Sequence, residues 1–167
     1  IRFGNLMPEY PKVYDYYRIK RVLTMGVNYP EKDALNKALN DDLRWMGAKK
    51  QVNIIVVVVN TDDSNYRYAL ERKWLGAKKN DVVVILGVIQ YPKVEWVDVI
   101  TFGKNSGNEL LTVKLKDRIK ATKNIDNPQL LSNIIGGTIR SDFHRKEMKD
   151  YEYLKGSYQP SPASVMW

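Results

Sequence analysis

Two carboxylates stand at turns where a sheet edge could hold them together. Asp81 directly precedes the apolar run Val82–Leu86, and Glu109 follows a loop that contains two glycines. If the next strand returns antiparallel, its end lies at the same edge as Asp81. Two carboxylates with backbone carbonyls supply the oxygen ligands that Ca²⁺ and Mg²⁺ take. The sequence therefore predicts a metal site of Asp81 and Glu109. The alternative, which we favour, is that each residue only caps a turn or a helix.

A second polar group follows a valine-rich run at its carboxyl end. Residues 60–64 read Asn-Thr-Asp-Asp-Ser, and ligands of open α/β sheets usually bind at such ends. Acids placed there either bind a metal, activate a water or cap the next helix, and we favour capping. A full strand separates Asp62 from Asp81, so we expect these two residues at opposite edges, where they cannot share a site.

Composition excludes several classes of site. There is no cysteine, which rules out disulfides, thiol catalysis and cysteine-bound metals, and the single histidine is His144. With Arg140, Arg145 and Lys146, His144 either contacts a phosphate or belongs to a solvated helix face, the reading that we favour. The net charge of +8 favours polyanions or an anionic membrane, although evenly spread charge also serves solubility alone. We assign no catalytic or cofactor-binding residue.

The surrounding elements follow from periodicity and helix-end signals. A helix is predicted from Asn28, as N-cap, to Gly47, as its end, followed by a strand over Val52–Val59. A second helix begins at Asp63 or Ser64 and ends at Gly76, and a second strand follows at Val82–Leu86. Both units end in Trp-x-Gly-Ala-Lys-Lys. The tryptophans, Trp45 and Trp74, either bind a ligand or pack in the core or as a lid over the sheet, and we favour packing. One strand-helix-strand unit predicts parallel strands with a right-handed crossover.

The remaining chain predicts one antiparallel strand and two helices. Val94–Phe102 follows a join too short for a crossover helix, and Val94, Trp96, Ile100 and Phe102 share one face. Helices are expected over residues 109–120, with a strand as the fallback, and from Asn127-Pro128 onward. The apolar positions of the last helix are Leu131, Ile135, Ile139 and Phe143, with Gly136-Gly137 as either a close contact or a break.

The elements combine into a three-layer α/β/α domain with a mixed, mostly parallel sheet. We place this domain at residues 28–154. Residues 1–27 form a tyrosine-rich and basic arm, within which Tyr17–Val27 is a candidate edge strand, and residues 155–167 form a tail.

The order of these elements resembles that of the TPM domain, an α/β domain of membrane-associated and thylakoid-lumen proteins. The resemblance is carried by residues Asn53–Val59, Lys73–Gly87, Val94–Gly103 and Ile134–Tyr151. It implies a three-layer domain that is often tethered to a membrane. Some members bind a divalent cation, and some have been assigned phosphatase activity. The acidic turn of the family, usually Asp-Asp-Gly, reads Asn80-Asp81-Val82 here, and a later acid of the family corresponds to Glu109.

Three functions remain open at this stage. We favour a non-catalytic binding or scaffolding domain with protein partners in a membrane-associated assembly, extracytoplasmic rather than cytoplasmic. The second is a phosphatase that uses Asp81, Glu109 and Ca²⁺ or Mg²⁺. The third is a basic surface that binds nucleic acid or an anionic membrane, of which nucleic acid is the less favoured partner.

Overall fold

The computed structural model describes residues 3–11, 20–50, 52–75, 80–102 and 108–143, with the backbone alone at 47–50. A short 3-10 helix, Gly4–Leu6, precedes four strands and four α-helices. In chain order these are β1 Val22–Met25, α1 Lys32–Lys50, β2 Asn53–Val59, α2 Tyr66–Lys73, β3 Asp81–Gly87, β4 Trp96–Thr101, α3 Glu109–Thr122 and α4 Pro128–Asp142.

The strands form one mixed sheet in the order β1-β2-β3-β4. The first three strands are parallel, with Asn53 opposite Asp81, and β4 is antiparallel to β3, with Thr101 opposite Val82. We call the edge at which β1, β2 and β3 begin the amino edge, and the opposite one the carboxyl edge. The predicted mixed α/β fold is confirmed, including the antiparallel last strand.

Strands β2 and β3 are buried along their whole length. Successive side chains of a strand alternate between the two faces, so both faces need cover. Even-numbered residues of both strands pack against α1, α3 and α4, which cover the α1 face. Odd-numbered residues pack against α2 and against partly buried residues of the segment Phe3–Tyr10, which cover the α2 face. These layers complete the predicted three-layer architecture.

Helix α1 differs from its prediction at both ends. It begins at Lys32 rather than near Asn28, because residues 29–32 form a turn in which the Lys32 amide donates to the Tyr29 carbonyl. The buried Tyr29 hydroxyl donates to the carbonyl of Ile125 at 2.7 Å, which fixes that turn. The helix then continues through Gly47 to Lys50, since one interior glycine costs only about 1 kcal/mol. Gly76 lies outside the described residues.

The two tryptophans of the repeated join have different environments. Trp74 is buried, and its indole nitrogen donates to the carbonyl of Pro8 at 3.1 Å, as a core position requires. Trp45 is 84% exposed, so the prediction that it packs in the core or over the sheet is wrong. Helix residues turn by about 100° each, which places Trp45 almost opposite the buried Leu43. The two copies of Trp-x-Gly-Ala-Lys-Lys therefore do not place their tryptophans at structurally equivalent positions.

The later elements follow their predicted faces with one exception. Helix α4 runs through both glycines, and Leu131, Ile135, Ile139 and Phe143 are buried. Helix α3 covers the predicted segment as a helix. On β4, Trp96 and Ile100 pack on the α2 face, but Val94 belongs to the core of the α1 face. Val94 precedes the first residue of the strand, so the alternation does not reach it.

Helices α1 and α4 meet at a glycine. A Cβ atom at Gly136 would overlap the carboxylate of Asp42, which accepts a hydrogen bond from Ser132 and lies 3.7 Å from an Arg140 nitrogen. A Cβ atom at Gly137 would come no closer than 3.9 Å to a neighbouring side chain. The pair therefore marks close packing rather than a break.

We expect Gly136→Ala and Gly137→Ala to change stability in opposite directions. Alanine in a helix interior gains about 0.5–1 kcal/mol over glycine, which Gly137→Ala should show. Gly136→Ala should instead lose about 1–2 kcal/mol, because the displaced Asp42 leaves its partners. Urea unfolding of both variants measures the difference, and equal stabilities would contradict the close contact.

Candidate functional site

Asp81 lies at the amino edge, in the layer between the sheet and the N-terminal segment. It is 1% exposed, stands opposite Asn53 in the sheet and alternates onto the α2 face. The Tyr10 hydroxyl donates a hydrogen bond to its carboxylate, and the Tyr10 ring packs edge-on against Trp74 at 5.3 Å. The carboxylate thus anchors the N-terminal segment over the beginning of β3.

Glu109 lies at the same edge but in another layer. It is the exposed first residue of α3, a helix that packs on the α1 face through Leu111 and Leu115. The carboxylate of Asp81 lies in the layer on the α2 face, whereas Glu109 begins α3, which covers the α1 face. Among the described residues, no group of three acidic or histidine side chains could hold a metal ion. The metal site of Asp81 and Glu109 stays a prediction.

The acids of the carboxyl edge shape the turn before α2. Thr61 Oγ1 accepts from the Asp63 amide at 3.2 Å, and an Asp63 carboxylate oxygen accepts from the Asn65 amide at 3.0 Å. Asp62 is exposed. As expected, this turn follows the end of β2 and lies a whole strand away from Asp81. His144, Arg145 and Lys146 lie outside the described residues.

Sequence analysis did not predict the buried polar network around Arg21. The side chain is fully buried, and its guanidinium donates to Asn40 Oδ1 at 2.6 Å, to Asn53 Oδ1 at 2.8 Å and to the Ile54 carbonyl at 2.7 Å. Asn36 Oδ1 accepts from the Arg21 and Val22 amides. These bonds tie the edge strand β1 to α1 and β2. The sequence feature that could have indicated this network is Asn53, a polar residue at the start of the otherwise apolar strand β2.

Three side chains of the α2 region hold the N-terminal segment by its backbone. The carbonyls of three successive residues accept hydrogen bonds at 2.7–3.3 Å. These pairs are Tyr66 with Leu6, Lys73 with Met7 and Trp74 with Pro8. Phe3 adds an edge-on ring contact with Tyr66 at 5.2 Å. The segment is thereby fixed along α2 without belonging to the sheet.

A groove of about 810 Å³ runs between this segment and the outer side of α2. Its walls include Phe3, Met7, Tyr68, Ala69, Arg72 and Lys73. Lys73 pairs with Glu9 at 2.8 Å. Arg72 is exposed, and among the described residues it has no acidic partner. The groove therefore combines apolar walls with a guanidinium that is open to a ligand.

No protein-family model matches the chain, and comparison with curated proteins finds no match. Among solved structures, the chain is similar to the N-terminal domain of a protein from P. gingivalis, determined by solution NMR. The TM-score is 0.50 at 17% identity, over 77% of this chain and 88% of that domain. At this identity the similarity supports the fold alone, and the TPM resemblance stays a prediction. No helix in the described residues has the length and hydropathy of a membrane span.

The bond between Tyr10 and Asp81 can be measured by a double-mutant cycle. Tyr10→Phe should lose about 1–2 kcal/mol of unfolding free energy, since a hydrogen bond to a charged acceptor disappears. Asp81→Asn should lose a similar amount, and the double variant should lose less than the sum. Chemical unfolding of the four proteins gives the coupling, and strict additivity would show that the contact adds nothing.

Tyr66 makes stability sensitive to alkaline pH. Burial raises the pKa of its hydroxyl well above the usual value near 10. The unfolded chain therefore loses this proton at lower pH than the folded chain, and stability falls as the pH rises above about 10. Tyr66→Phe should reduce this loss, but not abolish it, because burial also raises the pKa of Tyr29. Thermal unfolding between about pH 8 and pH 11 tests this, and an unchanged slope would contradict it.

Proposed function

We propose that this chain is a non-catalytic binding domain whose α2 groove holds an extended segment of a partner protein. The observation that carries the proposal is the groove itself, an apolar channel with the exposed Arg72 on its wall. Mostly apolar clefts with few polar groups are the usual form of binding sites. The partner segment would place an apolar side chain against Phe3 and Tyr68 and a carboxylate on Arg72.

The residue types of the groove support recognition of a protein. Tyrosine and arginine are enriched among the residues that dominate binding energy at interfaces. A guanidinium also matches a carboxylate with two parallel hydrogen bonds, which gives direction as well as affinity. Tyr68 is 58% exposed and lies next to Arg67, whose guanidinium carbon is 5.3 Å from the Tyr68 ring centroid. The groove thus presents an aromatic surface close to positive charge.

One wall of the groove is held in place before any partner arrives. The hydrogen bonds to the carbonyls of Leu6, Met7 and Pro8 fix the backbone of the N-terminal segment. A preformed wall lowers the ordering cost of binding. The membrane-associated setting of the proposal comes from the TPM resemblance, which implies a domain that is often tethered to a membrane.

Selection from a library of displayed peptides identifies the preferred sequences. The proposal expects enrichment of peptides that combine an acidic residue with a neighbouring aromatic or aliphatic one. Amide chemical shifts recorded with a selected peptide should move for Phe3, Met7, Tyr68 and Arg72. Shifts confined to other parts of the chain would reject the groove as the binding site.

Charge reversal at the groove should weaken such a peptide. We expect Arg72→Glu to reduce affinity by at least about tenfold, equivalent to about 1.4 kcal/mol, because the carboxylate then meets a like charge. Tyr68→Ala should have a similar effect through lost apolar contact. The matched control is Lys120→Glu, an equal charge change at an exposed position of α3 in the opposite layer. Equal losses in Arg72→Glu and Lys120→Glu would indicate attraction to net charge alone.

A further inference from the structure

The N-terminal segment, Phe3–Tyr10, covers the sheet without sharing its backbone hydrogen bonds. Among the described residues, its two backbone–backbone bonds both lie within the segment. They join the Leu6 amide to the Phe3 carbonyl at 2.9 Å and the Met7 amide to the Gly4 carbonyl at 3.4 Å. Only Pro8 of the segment is buried, and its other residues are partly or fully exposed. Regions with so few buried contacts open at a lower free energy than the core.

The two ends of the segment have different tasks. Phe3, Gly4 and Met7 line the groove beside α2. At the other end, the Tyr10 hydroxyl donates to the carboxylate of Asp81. Asp81 is the first residue of β3, a strand that is buried along its whole length, so its position is fixed by the sheet. Tyr10 and Asp81 therefore hold the groove wall from outside the groove.

The bond between Tyr10 and Asp81 is the polar contact best placed to keep the segment closed. Asp81 is buried, and a hydrogen bond to a carboxylate is about twice as strong as one between neutral groups. The other charged contact of the segment joins Glu9 to Lys73 at 2.8 Å, with the Glu9 side chain 89% exposed. Exposed pairs of this kind contribute little to stability.

We infer that the N-terminal segment opens as a unit, separately from the core of the α1 face, and that Tyr10 and Asp81 are the positioning residues that keep it closed. The open form lacks one wall of the groove, so only the closed form binds the partner segment. Closure and partner binding therefore stabilise each other. This coupling rests on the proposed function, whereas the separate opening does not.

The indole of Trp74 reports the opening directly. Its N–H donates to the carbonyl of Pro8 at 3.1 Å, and the side chain is only 3% exposed. Solvent reaches this proton once the segment has left, so its exchange with deuterium measures how often the segment is open. The indole resonance is followed by NMR under conditions in which the exchange rate is proportional to the population of the open form.

We expect Tyr10→Phe to accelerate the exchange of the Trp74 indole proton by about tenfold, because the closed form loses its bond to the carboxylate. Asp81→Asn should act in the same direction. The matched control is Ile135→Val, which removes a methylene group from the core of the α1 face. This variant should lower the stability of the whole domain and leave the exchange of Trp74 unchanged, since the segment opens while that core stays folded.

Two results in the free chain would overturn the inference. Equal acceleration by Tyr10→Phe and Ile135→Val would show that Trp74 exchanges only when the whole domain unfolds. An unchanged rate in Tyr10→Phe would show that this residue does not hold the segment. Urea unfolding of each variant confirms that it is folded and gives the loss of overall stability with which the exchange rates are compared.

A peptide selected for binding to the groove tests the coupling. At a concentration of about one hundred times its Kd, the peptide should slow the exchange of Trp74 by up to about a hundredfold, because it binds the closed form alone. Arg72→Glu, which weakens the peptide, should reduce this protection at the same peptide concentration.

The outcomes separate the coupling from the proposed function. A peptide that shifts the groove amides without slowing the exchange of Trp74 would refute the coupling. Faster exchange in its presence would show that the peptide replaces the N-terminal segment, which also refutes it. If no peptide binds the groove, the proposed function and the coupling both fail, while the exchange rates of the free chain still decide whether the segment opens separately.

Discussion

The burial of β2 and β3 on both faces is the constraint on which the rest of the structure depends. Apart from Asn53 and Asp81 at their first positions and Gly87 at the end of β3, both strands consist of valine, isoleucine and leucine, and they have no exposed position. Such strands are stable only between two covering layers. On the α1 face, three helices provide the cover. On the α2 face the chain supplies a helix of only 8 residues, about 12 Å long. That helix is too short to cover the sheet alone.

The N-terminal segment completes the second layer without regular structure. A segment outside a helix or sheet must pair its backbone polar groups elsewhere. The carbonyls of Leu6, Met7 and Pro8 find donors in side chains on and next to α2, and the Tyr10 hydroxyl reaches Asp81. Because the segment lies beside α2 rather than interdigitating with it, a channel remains between them. The proposed groove is thus a consequence of covering a sheet with two unlike elements.

Local sequence patterns predicted the elements whose cause is local. The valine runs of β2 and β3, the short join before β4 and the spacing of Leu131, Ile135 and Ile139 each determine their element within a few residues. The patterns failed where contacts distant in sequence decide the structure. Tyr29 sets the start of α1 through Ile125, and Arg21 is buried because Asn40 and Asn53 accept its protons. Neither pairing is visible in periodicity.

The predicted pair of Asp81 and Glu109 shows the same limit. Topology placed both residues at the amino edge, as the antiparallel return of β4 requires. The layer to which each residue belongs depends on how α3 packs and on where Tyr10 lies. Tyr10 is far from Asp81 in sequence, so no local pattern could place its hydroxyl on that carboxylate. The edge was predictable, whereas the partners of each side chain were not.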